Sequence, residues 1–209
     1  MTKVMKTKII FTFICMTGFI ISVSAKNKPG KTTDVYIKAG VNFSNAHHVK
    51  PGVAGKDFKA GFNAGFQIDT RLERNLYFQS GIFFTTKGVE FDSKGNKDQL
   101  KINPMYLQIP LALAYKIHLE KHTHLVLNVG PYLAYGIAGK ADDGTHKKSD
   151  TFDKKTFKRF DTGLLGGIGF EFDRILLGVN YEHGLLDIAR AKKDSYKNQN
   201  ISLSLGYRF

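Results

Sequence analysis

Histidines beside carboxylates could carry acid–base or nucleophilic chemistry, so they set the first question. His183 directly follows Glu182 in ILLGVNYEHG. Apolar residues there recur at every second position, which marks a strand, and neighbours on a strand point to opposite faces. The two cannot easily form a dyad. His47, His48 and His146 lie in polar loops, and no serine stands at a spacing that compels a nucleophile–base pairing. His118, His122 and His124 flank a short turn, and His122 and His124 share a strand face. Histidines so placed can bind zinc, yet no Cys or Asp completes a recognisable ligand set, and the plain reading is a solvated turn near lipid headgroups. No catalytic, cofactor or metal site is expected, and a lipid-modifying acyl hydrolase or transferase is kept only as an alternative.

A second constellation is ionic. Lys38, Asp69, Lys116, Asp161, Glu171, Glu182 and Arg208 all fall on the small, polar side of alternating segments. If that side is an interior, these charges must pair. Their expected role is an internal network that holds strands in register. A proton or solute path is the sharper alternative.

The elements that would position these residues alternate with period 2. Residues 34 to 43 set Val35, Ile37, Ala39, Val41 and Phe43 against Asp34, Lys38 and Asn42. Residues 60 to 69 set Phe62, Ala64, Phe66 and Ile68 against Asn63, Gly65, Gln67 and Asp69. Further segments lie at about 75 to 91, 101 to 116, 123 to 138, 158 to 172 and 175 to 186, and the chain closes on ISLSLGYRF at 201 to 209. Pro104 and Pro110 predict bulges or local distortion in the fourth segment. Connections alternate as well: short at 70 to 75, 118 to 123 and 173 to 174, long and Lys-rich at about 44 to 59, 92 to 100, 139 to 157 and 187 to 198. Eight antiparallel strands with short turns at one end and long loops at the other predict an all-β transmembrane barrel, periplasmic turns below and extracellular loops above. A soluble lipocalin-like barrel would put its large apolar residues inside. Here the small and polar set is the one that fits a narrow bore, with Tyr36, Tyr106 and Tyr132 as its large members. Eight strands leave a filled interior and no wide pore.

Lys3, Lys6 and Lys8, the apolar run IIFTFICMTGFIISV and small residues ending at Ala25 follow the order of an export signal. The expected organisation is a signal peptide at 1–25, a linker at 26–33 and a barrel domain at 34–209. Removing the signal takes away Cys15, the only cysteine, and lowers the net charge from +13 to +10. An exported basic protein rarely meets nucleic acid, and anionic headgroups suit its charge better. The loop residues Lys140, Lys147, Lys148, Lys154, Lys155, Lys158, Arg190, Lys192, Lys193 and Lys197 could meet lipopolysaccharide phosphates or a protein partner.

KAGVNFS at 38 to 44, GFNAGF at 61 to 66, YLQIPLALAYKI at 106 to 117, GPYLAYGI at 130 to 137, FDTGLLGGIGFEF at 160 to 172 and the closing GYRF run through nearly the whole mature chain. In these stretches it resembles the small outer-membrane β-barrel family of Bacteroidetes that includes the PorT-like proteins. The resemblance implies an outer-membrane location, some members being tied to secretion and gliding. It also implies that the last strand, with Tyr207 at the rim and Phe209 at the end, is read by the barrel-assembly machinery. The expected function is a non-enzymatic structural, adhesion or assembly role. A secretion component is the alternative.

Overall fold

Alternating residues build alternating faces, and the strands follow that pattern. The computed structural model describes residues 32–48, 57–92, 99–142, 148–152, 157–188 and 196–209. The expected signal, most of the linker, and His146, Lys147, Lys154, Lys155, Arg190, Lys192 and Lys193 lie outside the described residues, as do the side chains of His47, His48, Lys140 and Lys148. Asp34–Phe209 is one compact unit.

The strands are β1 (Thr33–His48), β2 (Asp57–Arg71), β3 (Leu76–Thr86), β4 (Val89–Asp92), β5 (Gln99–Glu120), β6 (Thr123–Asp142), β7 (Lys148–Asp150), β8 (Phe160–Phe172), β9 (Ile175–Gly184) and β10 (Tyr196–Arg208). They make eight staves. β3 and β4 both pair with β2 and β5, so they form one stave interrupted at Lys87 and Gly88. β7 continues the β8 stave along β6. Successive staves pair antiparallel, and β1 pairs β10 from Tyr36↔Arg208 to His48↔Tyr196, closing the eight-stranded barrel. The closure reaches the last residue, where the Phe209 amide donates to the Val35 carbonyl at 3.0 Å. At the tightest turn, Asp173 takes a φ of 50°, a left-handed conformation that aspartate tolerates.

The two prolines behave differently. Beside Pro104 the β5–β6 register shifts between Met105 and Tyr106, leaving Ile137 as an extra residue on β6. Pro110 causes no shift: of the bulge or local distortion expected there, the structure shows the distortion. Ser80↔Leu111 and Phe83↔Gln108 keep one register, and the positions between them are simply unbridged. Pro110 has no N–H to give, so the ladder loses a link without changing step.

Large apolar side chains point outward all around: Ile37, Phe66, Leu113, Leu133, Phe170, Leu177 and Leu205 are each 40% exposed or more. Tyr36, Tyr106 and Tyr132 point inward and are fully buried. At the long-loop end, Phe152, Phe157 and Ile188 join Tyr106, Tyr132 and Leu165 in an apolar cap over the bore. Phe152 meets Tyr106 edge-on at 5.7 Å, and the Arg159 guanidinium lies 5.2 Å from the Phe152 ring centre. The Phe152 ring occupies the space where a Cβ on Gly136 would stand. Gly136→Ala should therefore displace Phe152 and destabilise the barrel by about 1–3 kcal/mol, the usual cost of overpacking, read as a lower urea midpoint in micelles.

Candidate functional site: the charged bore

The inward residues of the eight staves meet on the barrel axis, and their charges sort into two clusters. At the short-turn end, the Lys116 ammonium on β5 lies 3.0 Å from Glu171 Oε2, 3.1 Å from Asp69 Oδ2 and 3.7 Å from Asp34 Oδ2. It also donates to the Tyr36 hydroxyl at 2.9 Å and sits 4.5 Å over the Tyr77 ring. Tyr36 in turn donates to Glu171 Oε1 at 3.1 Å. Arg208 Nη1 reaches the same Oε1 at 2.8 Å, and its Nη2 donates to the Asp173 carbonyl at 2.8 Å. Glu171 is thus the close partner of Arg208, with Asp34 Oδ2 at 4.0 Å.

The second cluster lies beneath the apolar cap. Lys87 Nζ is 3.0 Å from Glu182 Oε2 and 3.9 Å from Asp161 Oδ2, and 4.3 Å over the Tyr132 ring. Gln108 donates to Glu182 Oε1 at 2.6 Å and Asn200 to Oε2 at 3.3 Å. Asp161 Oδ2 accepts from Asn198 at 2.8 Å and from Tyr132 at 3.3 Å. Lys87 was missed in reading the sequence. Its signal was present, because the inward parity of Gln79 and Gly81 continues through Phe83 and Thr85 to Lys87. Charge gave a second signal: the seven residues singled out held three cations and four carboxylates, and Lys87 makes the numbers equal.

Lys38 belongs to neither cluster directly. It donates to Gln67 Oε1 at 3.0 Å, and Gln67 passes the contact on to Asp69 Oδ1 at 2.7 Å. Gln79 holds the other Asp69 oxygen at 3.0 Å. The two neutral amides of this relay, Gln67 and Gln79, thus meet on the Asp69 carboxylate.

Outside the bore, Glu182 faces inward while His183 faces outward, 3.4 Å from the Gln199 amide nitrogen and stacked on Tyr181. His118 and His124 pair across the turn with rings 4.3 Å apart. Among the described residues no group of three or more His, Cys, Asp or Glu could hold a metal ion. At the short-turn rim, the Tyr207 and Phe209 rings meet edge-on at 5.7 Å, Tyr207 accepts from Arg174 at 3.5 Å, and Phe209 is 74% exposed.

A closed antiparallel barrel with an apolar exterior and an ionic interior is an outer-membrane β-barrel protein. Residues 24–190 match the family described as outer membrane protein beta-barrel domain, and the chain belongs to that family. Its place is the outer membrane. Among solved structures it is similar to Neisserial surface protein A, at 12% identity over 85% of this chain and 99% of that one, with a TM-score of 0.51. It is also similar to Ail, the attachment invasion locus protein of Yersinia pestis, in complex with sucrose octasulfate (17% identity, 85% and 99% covered, TM-score 0.48). The outer membrane enzyme PagL is a third (12% identity, 82% and 98% covered, TM-score 0.48). These likenesses concern the fold alone. No curated protein matches the chain.

Breaking a buried pair by removing one partner leaves an uncompensated charge, which costs about 3–5 kcal/mol. Lys87→Met should lower the unfolding free energy by that order. Adding Glu182→Gln to the same chain should restore part of it, as a double-mutant cycle in urea would read.

Proposed function

We propose that this protein is a non-enzymatic outer-membrane barrel whose interior is a structural plug and whose rims and loops carry its adhesion or assembly role. The observation that carries this reading is the bore itself: both ionic clusters span it, and Tyr36, Tyr106 and Tyr132 fill it at zero exposure. A surface so occupied inside has only its ends to offer a partner. At the long-loop end, Lys158 is exposed and its ammonium donates to the Asp187 carbonyl at 2.9 Å. Lipopolysaccharide phosphates and a protein ligand are the partners that such basic loops suit. Residues 1–25 act in this reading as the export signal. Phe209, exposed at the rim with its backbone already tied to β1, serves as the assembly signal.

Two experiments test it. The purified protein should be silent in a planar bilayer, and steady channel conductance would overturn the plug. A deletion strain should keep its secreted proteins and its lipid A acyl number. Loss of secreted substrates would assign it instead to a PorT-like secretion apparatus, and a shifted acyl number would make it a lipid-A-modifying enzyme. Deleting Phe209 should reduce folded barrel in the outer membrane several-fold, as seen by heat-modifiable mobility on gels, while Phe209→Tyr should restore most of it.

A further inference from the structure

Between the two ionic clusters lies a cavity of about 70 Å³. Its lining includes Lys38, Gln108, Asn128, Asn180, Glu182 and Ser202. The hydrogen bonding of this wall is incomplete in a specific way. Gln108 Oε1 and Asn128 Oδ1 are buried acceptors with no protein partner, although both amide nitrogens are engaged, with Glu182 and with Gln79. Lys38, more than nine-tenths buried, carries three protons. One of them goes to Gln67. Among the described residues no carboxylate lies within 4.0 Å of Lys38, unlike Lys87, Lys116 and Arg208.

An occupant must therefore both accept and donate. A small anion would answer the ammonium but not the two amide oxygens, and the Glu182 carboxylate on the same wall would repel it. A monovalent cation would answer the oxygens and be repelled by Lys38. Water does both. One water needs at least about 10–15 Å³ of such space and two to four polar partners, so the cavity has room for more than one. We propose that the middle of the bore is a hydrated chamber, whose ordered waters accept from Lys38 and donate to Gln108 Oε1 and Asn128 Oδ1. These waters join the two ionic clusters into one network. They also solvate Lys38, which among the described residues has no carboxylate within 4.0 Å. Ser202 supplies a hydroxyl on the same wall.

The test is solution NMR of the full chain in lipid nanodiscs. Water cross-peaks should appear at the side-chain amide protons of Gln108 and Asn128. Ser202→Val, which fills the chamber from β10, should abolish the Asn128 cross-peak while leaving the backbone spectrum outside the bore in place. Ser204→Val is the second filling variant and should act alike. Absence of water cross-peaks at both amides in the unsubstituted protein would overturn the proposal. So would a saturable shift of the Lys38 resonance on adding bromide, which marks an anion site, or of the two amides on adding sodium, which marks a cation site.

Discussion

In hydrocarbon no backbone N–H or C=O can be left without a partner, and this constraint shapes the whole chain. Each stave satisfies its neighbours, but an open sheet would leave two unpaired edges. The seam between β1 and β10 removes them, and it runs from His48↔Tyr196 down to the Phe209 amide on Val35. Closure then forces every second side chain inward. An eight-stave bore is narrow, so what points inward must be small, or large and satisfied. Glycines along β8 and serines along β10 give the room that Tyr36, Tyr106 and Tyr132 take up.

Charge in that bore obeys a second requirement. Desolvating an ion costs several kcal/mol, and only close partners and further hydrogen bonds offset it. The clusters meet the requirement by sharing: Glu171 serves both Lys116 and Arg208, while Lys87 serves both Glu182 and Asp161. Neutral amides line what remains. Gln67 and Gln79 each hold one Asp69 oxygen, so that carboxylate has partners even beyond its lysine.

Much of this was legible in the residues because period 2 is unambiguous once one face must meet lipid. The eight staves, the apolar exterior and the inward tyrosines follow from parity alone. The break at Lys87–Gly88 was not legible, since a strand may pause without losing its parity, and the lysine was passed over where the alternation weakened. At Pro110 the expected distortion takes a different form from that at Pro104. A missing N–H predicts a lost link, while a register shift needs an extra residue, which Ile137 supplies near Pro104 and nothing supplies near Pro110. Which interior charges meet was beyond parity altogether. Glu171 lies on β8 and Lys116 on β5, and their contact depends on how staves lie across the bore.

That cross-bore geometry gives the clusters a role no ladder can fill. Backbone bonds couple each stave only to the two beside it. The lower cluster ties β1 through Tyr36, β2 through Asp69, β5 through Lys116, β8 through Glu171 and β10 through Arg208. The upper one ties β5 through Gln108, β6 through Tyr132, β8 through Asp161, β9 through Glu182 and β10 through Asn198 and Asn200 to Lys87, at the break in the β3–β4 stave. A slip of one residue in any of these staves would turn its inward polar side chains toward lipid. Under the proposed function the ionic bore both fixes register across the barrel and excludes a passage through it, two effects of the same contacts. On that proposal recognition is left to the ends, where the loops leave the membrane and where Phe209 stands exposed.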